Sequence, residues 1–254
     1  MPTIPVEADP NVEAGQSTAW WRRARIRLSR PSLRQGVMAL SNQGICSANN
    51  FLTGILVARA CAAEQFAMYM LGQTVVNFFK TTQNSLIATP YTFHSQKLSG
   101  AALKQYSGST LAHQAVLSGV AFAGSLLGAA GAWLWYGADF AWVFVALAFA
   151  LAFILLRELI RRICFATFRI NDASWFDAVV TVLQLGLMGG LAWAGRLSAA
   201  WAYLAAMAAC GVVNAWWLRR NRPLFQFQAS PILEDWKKNW ALGKWIYASL
   251  IITL

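Results

Sequence analysis

Six stretches of roughly twenty apolar residues, parted by short polar connections, constrain this chain more than any other feature. They run over 36–57, 66–89, 110–135, 140–156, 173–195 and 198–218. About 20 apolar residues are needed to cross a ~30 Å hydrocarbon core as a helix. In lipid a helix satisfies its own backbone groups within one segment, which an open strand cannot do. The blocks therefore predict an all-α fold, a polytopic membrane helical bundle with six transmembrane helices. A seventh block, WIYASLIITL, starts at Trp245. Its ten residues would span only ~15 Å. It reads as a truncated seventh helix in a fragment of a longer chain, or else as an interfacial helix. Composition agrees with lipid as the solvent. Hydrophobic residues make up 57% and charged residues 12%, against about 25% charged in soluble domains.

The connections divide the chain. Residues 1–18 are polar, with Glu7, Asp9 and Glu13, and read as a disordered tail. AWWRRARIRLSRPSLR, residues 19–34, interleaves arginines with Trp20, Trp21, Ile26 and Leu28. That pattern suits a segment lying on an anionic membrane surface, and equally a positive anchor beside the first span. The expected organisation is a cytoplasmic tail and interfacial segment over 1–35, a six-helix lobe over 36–218, a basic cytoplasmic connector over 219–244, and the seventh helix from 245. Of 21 Lys and Arg residues, 18 fall in 1–35, 94–109, 157–172 and 219–244, while Arg59 and Arg196 lie on the opposite side. The positive-inside rule then predicts a cytoplasmic N-terminus.

The same clustering disfavours nucleic acid as the partner of the +11 net charge, because the basic residues sit between apolar blocks rather than on one face. LVARACAA, after the first block, resembles a signal cleavage site. The block before it is too long and too rich in amides for a cleaved leader. Cys46, Cys61, Cys164 and Cys210 are scattered without C-x-x-C spacing, so neither a metal nor a cofactor is expected.

Lys80 is the anomaly. It lies 14 residues beyond Phe66, roughly 21 Å down a helix. A charge at such depth costs about 2.5–3.5 kcal/mol even on a lenient insertion scale. Snorkelling toward the interface explains the charge alone. It does not explain why Gln73, Asn77, Lys80 and Asn84 recur at spacings of four, three and four, which sets them along one helical face. Such a stripe predicts a wet cavity or a polar partner helix. In the first block Asn42 and Gln43 precede Asn49 and Asn50 by seven residues, so these amides either join the same cavity or bond helix to helix. Asp177 enters the fifth block at a depth comparable to Lys80. A Lys80–Asp177 pair, able to change protonation, is one expectation; a wet interfacial carboxylate is the other. Arg157 and Glu158 read as interfacial anchors and His113 as a packing residue. Gly124 and Gly128, with Gly186, Gly189 and Gly190, read as sites of close helix approach.

No phosphate-binding glycine loop, H-E-x-x-H, G-x-S-x-G or paired-carboxylate motif occurs, and the expected outer loops are short, so catalysis is disfavoured. NFLTGILVARACAAEQFAMYMLG (50–72), QNSLIATPYTFHS (83–95) and RELIRRICFATFRI (157–170) resemble polysaccharide-export flippases of the multidrug/oligosaccharidyl-lipid/polysaccharide exporter superfamily. Ala62 and Ala67 stand where that resemblance leads one to expect glycines. The resemblance implies two six-helix lobes around a central cavity, of which this chain would be the first. It also implies residence in a bacterial cytoplasmic membrane and alternating-access transport of a polyprenyl-diphosphate-linked glycan. Lys80 would then meet a phosphate, and the amides of 42, 43, 49, 50, 73, 77 and 84 would meet sugar hydroxyls. A second lobe or copy would be a partner. Three alternatives stand beside this reading: a cation-coupled drug or metabolite antiporter of the same fold using Asp177, a membrane-embedded polysaccharide enzyme, and a non-transporting scaffold.

Overall fold

The computed structural model describes residues 30–253, which are helical almost throughout. The expected tail over 1–18 and most of the basic segment over 19–34 lie outside the described residues. The helices are α1 (Arg30–Ala60), α2 (Ala63–Gln83), α3 (Thr89–Ser95), α4 (Gly100–Tyr136), α5 (Ala138–Ala166), α6 (Ile170–Trp193), α7 (Ala199–Arg220) and α8 (Ala229–Thr253). A π-helical segment, Asn84–Ala88, joins α2 to α3, and a 3₁₀ turn, Arg222–Leu224, follows α7.

Each apolar block is helical over nearly all its length, and most helices outrun their blocks, although α6 stops at Trp193. Charged ends remain helical because a helix boundary is set by backbone capping, whereas an apolar block ends at the first cluster of charges. Among the described residues, four helices are long and apolar enough to cross a membrane: α4, α5, α6 and α7. The amides and Lys80 make α1 and α2 more polar.

α5 is the axis of the bundle. Leu147, Leu151, Leu155 and Leu159, one turn apart, are fully buried. The helix packs against α4, α7, α2 and α6, while α1 lies mainly on α6. In lipid the hydrophobic effect between helices is lost, so this ridge contributes through close packing and dispersion. The outward faces carry large apolar side chains, among them Leu127, Leu134, Val182 and Trp193. A soluble monomer seldom exposes so much contiguous apolar surface.

The connections show which glycines matter. Between α1 and α2, Ala62 adopts φ −62° and ψ 155°, which any residue tolerates, so the turn has no need of the glycine expected there. Gly137 alone separates α4 from α5 at φ +93°, and Gly195 ends α6 at φ +67°; both lie in the region that favours glycine. The π segment ends one residue short of Pro90, with Thr89 between them. A proline ring collides with the carbonyl four residues back and donates no hydrogen bond. The wider π turn, in which Thr89 N–H reaches Asn84 O, passes the chain into α3 without ending the helix.

Two expectations need correction here. The seventh helix, expected from 245, starts earlier: α8 begins at Ala229, inside the connector expected over 219–244, and runs without a break through the seventh block. Its buried side is polar, with Asp235 and Asn239, which hid it from an apolar-block reading. Tyr106 donates to Asn239 at 2.6 Å and His113 meets the Ile232 carbonyl at 2.9 Å, tying α8 to α4. The glycines of α6 were expected at close contacts, yet a Cβ at Gly186, Gly189 or Gly190 would meet nothing within 4 Å. Gly128 of α4 is at a close contact as expected, a Cβ there meeting Phe144 at 3.1 Å, and closer approaches fall at Gly72, Gly108 and Gly243.

Candidate functional site

A polar cavity of about 40 Å³ lies between α1, α2, α5, α6 and α7, room for a few water molecules. Lys80 and Gln73 enter it from α2, Asn49, Asn50 and Thr53 from α1, Arg157 from α5 and Gln184 from α6. Tyr69 and Tyr203 form an aromatic wall, stacked with ring centroids 5.4 Å apart. The Tyr203 hydroxyl donates to the Tyr69 carbonyl at 2.7 Å. Gly72 leaves room for that hydroxyl, since a Cβ there would come within 2.5 Å of it. The cavity shares Asn50, Tyr69 and Gln73 with a larger groove of about 530 Å³ on the open side of α1 and α2. Phe51, Phe66 and Met70 give that groove apolar walls, and Asn77 adds an amide.

The sequence stripe therefore divides. Gln73 and Lys80 reach the cavity, Asn77 is exposed at the groove, and Asn84 lines neither, because it opens the π segment where the register turns. In α1 the pairs split as well. Asn42 and Asn49 are buried, whereas Gln43 and Asn50 are exposed. Asn49 donates to Gln184 at 3.4 Å, and Gln184 donates to Thr53 at 3.4 Å. The Asn42 and Asn49 side-chain oxygens are buried without a protein partner.

Asp177 does not pair with Lys80. It is fully buried, and Arg157 donates to its Oδ1 from Nε at 3.0 Å and Nη2 at 2.7 Å. The reason is topological. Arg157 and Asp177 stand at similar distances on either side of the α5–α6 turn near Phe168, so they meet at one height. α2 makes no substantial contact with α6. Asp177 is thus neither a wet interfacial carboxylate nor a partner for Lys80, and Arg157 is not a simple anchor. Cys46 donates to Asp177 Oδ2 at 3.5 Å and receives Arg161 Nη1 at 3.2 Å, and Arg161 also bonds Glu158. The network leaves the Lys80 ammonium outside it, with neither a hydrogen bond nor an ion pair among the described residues. Glu158, already engaged by Arg161, is the acidic group that acts on Lys80 through space.

Sequence reasoning missed Arg157, Gln184, Thr53 and Gln83. Ser174, Asp177, Thr181 and Gln184 follow one another at three, four and three residues, and Asn42, Cys46, Asn49 and Thr53 at four, three and four. These two stripes, on helices that pack together, were legible signals for the α1–α6 seam. Gln83, fully buried, donates to Gln114 at 2.6 Å and to the Leu155 carbonyl at 2.7 Å, tying α2 to α4 and α5 below the cavity.

Comparison with family models, with curated proteins and with solved structures finds no match for this chain.

Proposed function

We propose that the chain forms a membrane-embedded transport lobe that carries a lipid-linked oligosaccharide or polysaccharide precursor across the cytoplasmic membrane by alternating access. The observation that carries this reading is Lys80: an ammonium at a polar cavity, in no ion pair among the described residues and with its acidic neighbour Glu158 engaged by Arg161, beside amides able to bond hydroxyls. Lys80 offers a point charge to a phosphate. The adjoining groove, apolar on its walls and open on one side, would let a polyprenyl tail stay in lipid while the head group passes the amides. Six crossings, a cytoplasmic N-terminus and a facing second lobe or copy complete the proposal.

An antiporter of the same fold would need a carboxylate free to load a cation. Asp177 is fully buried and committed to Arg157, which favours the glycan reading. Translocation of a polyprenyl-diphosphate-linked oligosaccharide by the protein as expressed in its native membrane tests the choice. Lys80→Ala is expected to abolish it and Lys80→Arg to retain part of it. Undiminished translocation by Lys80→Ala would reduce Lys80 to a snorkelling residue, and cation-coupled drug efflux without glycan movement would favour the antiporter.

A further inference from the structure

Arg219 and Arg220 close α7, and Arg222 opens the 3₁₀ turn that follows it. Arg220 lies over the Trp216 ring at 5.6 Å. The guanidinium groups of Arg219 and Arg222 are exposed and meet no acidic group among the described residues. Both border a groove of about 580 Å³ that belongs to a different part of the molecule from the Lys80 cavity. Its walls are Leu111 from α4, Ala215 and Leu218 from α7, and Phe225 and Phe227 from the segment after the 3₁₀ turn.

That last wall is held in place. Gln226 N–H donates to the Lys104 carbonyl of α4 at 3.0 Å. Gly108 lets the strand of chain lie against α4, since a Cβ there would collide with the Gln226 carbonyl. The result is a preformed apolar slot with two unneutralised arginines at its rim, at the end of a helix long and apolar enough to cross a membrane. Basic pockets at this level of a bundle suit anionic head groups.

We propose that this groove binds one anionic phospholipid, its phosphate at Arg219 and Arg222 and an acyl chain along Leu111, Leu218 and Phe225. A free phosphate would use the arginines and leave the apolar walls uncovered, whereas a zwitterionic lipid sets a choline cation beside its phosphate, which offsets the attraction of the two arginines. The site rests on α4 and α7 as membrane spans and is independent of any cargo at Lys80.

Native mass spectrometry of the purified protein, titrated with phosphatidylglycerol or phosphatidylcholine, tests it. Phosphatidylglycerol should be retained preferentially. Arg219→Gln with Arg222→Gln should lower that preference roughly 25-fold, about fivefold for each charge removed. Ala215→Trp fills the slot at unchanged charge and should displace the lipid as well. Arg220→Gln, which lies outside the slot's lining, should leave retention within about twofold, short of the fivefold for a charge at the slot. Equal retention of the two lipids overturns the proposal. So does a loss in Arg220→Gln matching that in Arg219→Gln, which would mark diffuse surface charge, and so does full retention by Ala215→Trp.

Discussion

Asp177 and Arg157 form a buried pair whose removal from one side leaves a charge with no counter-ion. Asp177→Ala is expected to destabilise the protein by about 3–5 kcal/mol, as breaking a buried pair does. Replacing both partners, Asp177→Leu with Arg157→Met, should recover most of the loss. Denaturant unfolding in detergent micelles measures both, and a loss under about 1 kcal/mol in Asp177→Ala would show that water already neutralises the site. At this scale the sequence was informative where periodicity applied. Lys80 and Gln73 share a face because they lie seven residues apart on a regular helix, and they do reach one cavity. Arg157 was misread because a charge at the edge of an apolar block looks like a loop residue. α5 continues through it to Ala166, which turns Arg157 inward toward Asp177. A pairing of this kind depends on which helices are neighbours, and one strand of sequence does not encode that locally.

Helices themselves were legible wherever apolar runs reached spanning length, and illegible where polar residues do the packing. α8 is the clearest case, since its contacts run through Asn239 and Gly243 rather than through an apolar stripe. A Cβ at Gly243 would stand 2.7 Å from the Ser85 carbonyl in the π segment and 3.0 Å from Leu86 Cα. Gly→Ala in a helix gains up to about 1 kcal/mol of propensity. Overpacking against backbone that cannot swing aside costs about 1–3 kcal/mol. The clash should win, so Gly243→Ala is expected to destabilise and to raise amide exchange across 229–253. Gly186→Ala meets nothing within 4 Å and should be neutral or stabilising by up to about 1 kcal/mol. Thermal unfolding of the two variants decides the matter, and equal shifts would mean that α8 is not seated on the π segment.

On the scale of the whole molecule, an apolar exterior encloses a small polar chamber, and the question is which helices cross lipid. α4 to α7 have the length and composition to do so. α1 and α2 carry the amides and Lys80, and the proposed lobe needs both to cross beside them. Single cysteines near residues 61 and 97 should label from opposite sides of sealed membranes if α2 crosses; labelling from one side would leave α2 in the interface. The all-α class and the approximate places of α1, α2 and α4 to α7 followed from the spacing of apolar blocks. The chamber did not, because it forms where five helices meet and its volume depends on side chains far apart in sequence.

The most direct measurement is the water accessibility of position 80. Lys80→Cys, labelled in intact membranes with a charged, membrane-impermeant thiol reagent against the unsubstituted protein as background, reports whether the chamber is wet. The account predicts labelling from one side, slowed by an added polyprenyl-diphosphate-linked oligosaccharide. A Lys80→Cys thiol that stays unreactive from both sides, or reacts at the same rate with and without the glycan, would contradict it.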